Sequence, residues 1–133
     1  MKLTTKSEYS LLALIFIVRH RNEPFVKIDD ICAAYGIPKR YLENLLSVLK
    51  ANGYIRAKRG AAGGYQLVRD AKSISAAEII RLMDGALAPT ESVSVYFYAE
   101  TPLQKEQKAI ALLRKIRDYI ADVLENTSLA DLA

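Results

Sequence analysis

From Tyr9 to His20 almost every position is apolar, with Leu11-Leu12-Ala13-Leu14-Ile15-Phe16-Ile17-Val18 at its centre. A helix without a polar face belongs in the middle of a core. Thr5-Lys6-Ser7-Glu8 stands just ahead of it with the spacing of a capping box, in which hydroxyl and carboxylate satisfy free amides at a helix start. Asn22-Glu23-Pro24 breaks the chain. Ile28, Ile31, Cys32 and Tyr35 then share one face of a short helix over 28–35. Gly36 suits the end of that helix, and Pro38 suits the first turn of the next. The third helix, 38–52, turns Leu42, Leu45, Leu46 and Leu49 one way. Lys39, Arg40, Glu43, Asn44, Ser47 and Lys50 face the other. Helix, short glycine turn, helix is the helix-turn-helix layout.

Gly53 ends the third helix. Residues 54–58 and 65–69 alternate at period two and predict a pair of strands. Between them lies Arg59-Gly60-Ala61-Ala62-Gly63-Gly64, a hairpin tip with little side-chain bulk. A hairpin in this place is a wing. The tip is not a phosphate loop: it lacks Lys-Ser/Thr, and it joins two strands rather than a strand and a helix. A second capping box, Ser75 to Glu78, is flanked by Ile74 and Ile79 as a hydrophobic staple. It opens a helix that Gly85 stops. An irregular stretch, 86–101, carries the run Val95-Tyr96-Phe97-Tyr98.

A long helix follows from Pro102 to about Glu125. Ala109, Leu113, Ile116, Ile120 and Val123 recur at heptad-like spacing, and Ile110, Leu112 and Leu124 widen the stripe. Its length, roughly 30 Å, exceeds what a small winged domain can cover. The same helix of a second subunit would cover it, with Leu113, Ile116, Ile120 and Val123 at the dimer seam. Packing wholly on its own domain is the competing reading. Residues 128–132 form a terminal turn that tucks Leu129 and Leu132 away. The fold class expected is mainly α with a small β-hairpin wing. A winged helix-turn-helix domain spans 1–85, an irregular linker or effector segment 86–101, and a dimerisation helix with a C-terminal turn 102–133.

Composition narrows the function. The 133 residues are 51% apolar and 26% charged, the balance of a chain with a core. One Cys and one His exclude an internal disulfide framework and a zinc site of four N/S ligands. With a single His most hydrolase triads are also hard to build, and no His/Asp/Ser set converges on a predictable pocket, so no enzyme is expected. The apolar run 11–18 is too short to span a bilayer and has no cleavage site after it, so the expected location is the cytoplasm.

Charge is uneven. The formal net charge is +4. Residues 38–69 hold seven basic side chains against Glu43 alone, whereas 70–133 hold seven basic and ten acidic. A basic block carried on a helix-turn-helix and wing is the footprint of a polyanion. A major groove about 12 Å wide admits one helix, and base edges are read from near its N-terminus. There Lys39 and Arg40 can donate to guanine, Asn44 can pair with adenine, and Glu43 can accept from cytosine. A salt bridge from Glu43 to Lys39 or Lys50 is the rival role. Lys58, Arg59 and Gly60 on the wing suit a narrow minor groove. Thr5, Lys6, Tyr41, Ser47 and Lys50 are placed to hold phosphates. Two such units on a two-fold axis would read a palindrome with half-sites roughly 34 Å apart. A nonspecific architectural or protein-interaction module is the alternative.

Leu3-Thr4-Thr5-Lys6 with Tyr9, Tyr41-Leu42-Glu43, Arg59-Gly60 with Gly63-Gly64-Tyr65, Glu78-Ile79-Ile80 and Ser128-Leu129-Ala130-Asp131-Leu132 together resemble the Rrf2 family of bacterial winged-helix transcription regulators. The resemblance covers nearly the whole chain. It implies a homodimer joined by the long helix, with Tyr41 and Glu43 on the DNA-reading helix and Arg59 in the wing. Cluster-bearing members place three cysteines before that helix. Here Ser92, Tyr98 and Gln104 stand at about those positions, and they are poor substitutes for thiolates. The resemblance therefore points to the clusterless branch, with no iron–sulfur cluster and with a metabolite or partner protein as the signal. Cys32, on the inward face of the second helix, is read as structural rather than as a redox switch. An effector pocket lined by Val95, Tyr96, Phe97 and Tyr98 competes with packing of these aromatics into the dimer core.

Overall fold

The computed structural model describes all 133 residues, Met1–Ala133. Helices α1 (Thr5–Arg19), α2 (Ile28–Tyr35) and α3 (Lys39–Ala51) are followed by strands β1 (Ile55–Lys58) and β2 (Gly64–Leu67). Helices α4 (Ala76–Asp84), α5 (Gln107–Glu125) and α6 (Leu129–Leu132) complete the chain. This is the mainly α fold with a two-stranded antiparallel hairpin that the sequence predicts.

Helix α1 runs through the centre of the main core. Ala13 and Leu14 are fully buried, and Ile17 and Val18 nearly so. Around them pack Ile31 from α2, Leu42, Leu46 and Leu49 from α3, Ile55 from β1, Ile79 from α4 and Leu129 from α6. The four leucines predicted to face inward on α3 are all buried. The staple pair Ile74 and Ile79 is fully buried as well, and the Ser75–Glu78 capping box is present.

The start of α1 differs from the expectation. The helix begins at Thr5, and no capping box forms there. Thr4, the residue just before the helix, is anchored from another helix: the Asp84 carboxylate, at the end of α4, accepts from the Thr4 amide at 2.9 Å and from the Thr4 hydroxyl. The Thr5 hydroxyl lies instead against that of Tyr41. The box does not form because Thr5 already lies inside the helix: the Glu8 amide bonds to the Thr4 carbonyl at 3.1 Å, and the cap position falls to Thr4. Burial alone would raise the Asp84 pKa, but the Thr4 donors outweigh it and hold it below the usual aspartate range.

The long helix also begins later than expected. Pro102–Lys105 is a 3-10 turn, and α5 starts only at Gln107. The terminal turn is a short helix with its own capping box between Ser128 and Asp131. The Leu129 amide bonds to the Ile74 carbonyl at 2.9 Å, and the Ala76 amide to the Thr127 carbonyl at 2.8 Å. The C-terminus is thus strapped beside the start of α4. Leu129 is fully buried, but Leu132 remains 37% exposed and is not tucked away. One turn of helix presents one residue to the core and carries the other past it.

Candidate nucleic-acid interface

Helix α3 is held from below by its leucines, so its opposite face is fixed in place and wet. Lys39, Arg40, Glu43, Asn44, Ser47 and Lys50 are all exposed. The Lys39 ammonium pairs with Asp29 of α2 at 2.9 Å, and this partner raises its pKa. Glu43 forms no ion pair, which leaves the predicted rival bridge to Lys39 or Lys50 unformed. Arg40 and Asn44 are likewise without a hydrogen-bonding partner. Ser47 donates its hydroxyl to the Glu43 carbonyl one turn back, at 3.0 Å, so it offers an acceptor outward rather than a donor.

Tyr41 sits at the junction of two elements. Its ring packs edge-on against Tyr9 with centroids 5.7 Å apart, and its hydroxyl lies 3.1 Å from the Thr5 hydroxyl. Lys6 is exposed in the same first turn of α1. The N-terminus of a 15-residue helix therefore lies beside the recognition face, with the Asp84 carboxylate already on its cap residue.

The wing is wider at its base than the hairpin pattern suggests. Val26 and Tyr65 exchange backbone hydrogen bonds at 2.8 and 2.7 Å, adding a one-residue third edge. Two glycines are required by this construction. A Cβ at Gly63 would stand 2.0 Å from the Lys58 carbonyl oxygen. Gly64, at φ +142°, would place one 2.4 Å from the Val26 carbonyl oxygen. Lys58 rests its ammonium 5.6 Å from the Phe25 ring. Arg59 and Gly60 are exposed at the tip, with Arg59 unpaired.

Not every cation in the basic block points outward. Arg69 donates to Glu78 at 2.9 Å and to the Ser73 carbonyl at 2.9 Å, and it lies over the Tyr54 ring at 5.3 Å. Burial would raise the Glu78 pKa, but the Ser75 amide and Arg69 outweigh it and hold the carboxyl low. This cluster ties the base of the wing to α4. Sequence reading missed it because a surface arginine and a structural one look alike without the fold.

The predicted dimer residues divide into two sets. Leu113 and Ile120 are half-buried, Leu113 beside Ala88, Val93 and Ile110, Ile120 beside Ala77, Ile80 and Leu87. Ile116 and Val123 are 40% and 45% exposed, in line with Leu112 at 59% and Tyr119 at 73%. The outward stripe is thus Leu112, Ile116, Tyr119 and Val123, again at heptad-like spacing. Tyr119 was legible there but is less conspicuous than an aliphatic residue.

Val95, Tyr96, Phe97 and Tyr98 are all exposed. The space that Val95, Tyr96 and Phe97 line is only about 10 Å³, less than a ligand needs, so an effector pocket does not form there. Tyr98 turns to a different cavity, together with Ser92 and Gln104. The donors at these three positions are two hydroxyls and an amide. Iron–sulfur clusters are held by thiolates, and the one thiol, Cys32, lies on α2. The residues present do not fit a cluster. Burial, then Asp29, pushes the Cys32 thiol up, away from the reactive thiolate.

With this geometry in hand, comparison with known proteins decides the family. The Rrf2 family profile, described as "Iron-dependent Transcriptional regulator", matches residues 3–133. The chain belongs to the Rrf2 family. Among its relatives, the HTH-type transcriptional regulator CymR of Bacillus subtilis is 34% identical over 133 residues, covering 100% of this chain and 90% of CymR. IscR of Escherichia coli is 32% identical over 134 residues, 99% of this chain and 80% of IscR. The solved structure of CymR, the global cysteine regulator of B. subtilis, superposes with a TM-score of 0.81 at 33% identity, covering 100% of this chain and 96% of that one. The chain is therefore a winged-helix transcription regulator, and a binding protein rather than an enzyme. No helix is long and apolar enough to cross a membrane.

Proposed function

We propose that this Rrf2 regulator acts as a homodimeric repressor on a palindromic operator in double-stranded DNA. Each protomer lays α3 in a major groove and its wing in the neighbouring minor groove. The observation that carries the reading is the set Arg40, Glu43 and Asn44, exposed and unpaired on a helix face whose reverse side is locked into the core. Such groups lose no internal partner on meeting a base edge. Lys39 can join them only by leaving Asp29. Arg59, beside a glycine, reaches the minor groove, where negative potential is concentrated. Thr5, Lys6, Tyr41 and Lys50, with Lys58 and Gly60 at the wing, fix register on phosphates, and Ser47 joins them only by turning its hydroxyl away from the Glu43 carbonyl. Glu43 weakens a basic face for nonspecific binding, so its unpaired position there supports sequence reading.

The dimer closes through the α5 stripe, which joins the 1–85 DNA-binding unit to its copy by the 102–133 segment. The regulator works without a cluster, in the cytoplasm, under a small molecule or partner protein. Selection of bound DNA from random sequence tests the core of this reading. It should return a two-fold symmetric site with half-sites about 34 Å, or a multiple, apart. Equal binding to every duplex at fixed salt would instead establish a nonspecific architectural or protein-interaction module. Purified protein with stoichiometric iron and a visible charge-transfer band would overturn the clusterless assignment.

A further inference from the structure

Beside the first turns of α5 lies a half-open cavity of about 510 Å³, within the size range of small-molecule sites. Its walls are Ser92, Tyr98, Gln104, Gln107, Ile110 and Arg114. Five of the six are polar, one is a cation, and none is an acid. The Arg114 guanidinium has no ion pair or hydrogen bond of its own, whereas Arg117, one turn on, is fully engaged by Asp118 and the Val93 carbonyl. Gln104 donates to the Tyr98 hydroxyl within this lining. Ser92, only 4% exposed, has just the Thr90 hydroxyl at 3.5 Å as a partner.

We infer that this cavity is an effector site for a small organic anion, its carboxylate held by Arg114 and its remaining polar groups by Gln104, Gln107, Tyr98 and Ser92. A guanidinium fork with amide and hydroxyl donors around it is built for a carboxylate. Nothing in the lining supplies the opposite charge. The place gives the site a consequence. At 3.6 residues per turn, Gln107, Ile110 and Arg114 fall on the side of α5 opposite Leu112, Ile116, Tyr119 and Val123. An anion bridging Arg114 to Tyr98 and Gln104 would fasten the segment before α5 to that helix and leave the outward stripe free. That consequence for DNA rests on the function proposed above; the binding itself does not.

The test is calorimetric titration of the full chain, without DNA, with succinate, citrate and inorganic phosphate. One of the carboxylates should bind once per protomer and more tightly than phosphate. Arg114→Gln should weaken it at least tenfold, and Arg114→Lys, which keeps the charge, should restore part of the loss. Tyr98→Phe should weaken it less. Arg21→Gln, an exposed arginine elsewhere, should leave it unchanged. Circular dichroism confirms that each variant is folded. No heat from either carboxylate, phosphate binding tighter than both, or equal losses in Arg114→Gln and Arg21→Gln would each overturn the site. A bound carboxylate that leaves operator binding unaltered would sustain the site and remove its regulatory role. Loss of operator recognition with the site intact would instead count against the DNA reading alone.

Discussion

Helices α3 and α5 are both amphipathic, but they spend their apolar faces differently. Helix α3 has 13 residues and buries four leucines in its own protomer. Helix α5 has 19 residues and buries only Ile110. What α3 leaves outside is mostly charged or polar, with Val48 its one large apolar residue; what α5 leaves outside includes Leu112, Ile116, Tyr119 and Val123. The first helix is complete as it stands and presents chemistry to a polyanion. The second carries a strip of hydrocarbon that water disfavours, and in the proposed dimer a second copy of the same strip would cover it. A helix whose apolar face is covered within its protomer can be rigid enough to read sequence, while one left uncovered is suited to assembly.

The sharpest way to break this contrast is to cut each helix on its apolar side. Leu46→Ala, in α3, removes a fully buried side chain from the main core and should cost about 2–5 kcal/mol of folding free energy. Chemical denaturation will show this as a lower midpoint. Ile116→Glu, in α5, should leave the protomer folded. It should weaken dimerisation by about 100-fold or more, since an ionised carboxylate would be buried in an apolar seam. Sedimentation equilibrium distinguishes the two. If Ile116→Glu unfolded the chain as readily as Leu46→Ala, the helices would not differ in kind, and α5 would be part of one protomer's core.

The charged faces give smaller effects of two kinds. Arg59→Ala, on the wing, should weaken all duplexes together, by about tenfold, and lower the salt slope by about 1. Glu43→Ala should instead leave overall affinity nearly intact and relax base preference at one position, by about 1–3 kcal/mol. Binding titrations at several salt concentrations, on the selected site and its single-base variants, separate these outcomes. An unchanged preference after Glu43→Ala would reduce Glu43 to a solvated acid.

The regular elements were legible because local signals and tertiary packing agree. The four leucines of α3, Gly36, the Ser75–Glu78 box and the glycine tip each have a chemistry that the fold uses as written. Where a distant partner decides, the sequence does not show it. Thr5 and Glu8 have the spacing of a capping box, but the helix starts one residue early, and its cap residue Thr4 is anchored by Asp84, eighty residues away. The seam was legible as a heptad, yet which of its residues point outward depends on how α5 leans on the clusters around Ile80 and Val93. The basic block was legible as charge. That Arg69 serves the fold while Arg59 stays free follows from the position of Glu78, which only the structure supplies.

That last distinction gives the smallest and most specific prediction. Glu78 is held low by the Ser75 amide and by Arg69 against the opposing effect of burial. A carboxyl with a lowered folded pKa stabilises the fold fully above its unfolded pKa. That contribution is lost as pH falls through the unfolded value, about 4.3, and on past the folded one. Glu78→Gln keeps the shape and removes the charge. Its melting temperature should lie below wild type at pH 7, and the gap should close as both are measured toward pH 3. Asp84 and Asp131 are also held low, so acid will destabilise both proteins, but their contribution cancels in the difference. Arg69→Gln should reproduce the neutral-pH loss, and Arg59→Gln should not. If the two arginine variants melted alike, Arg69 would have no structural role distinct from that of Arg59, and the division of the basic block into supporting and reading cations would fail.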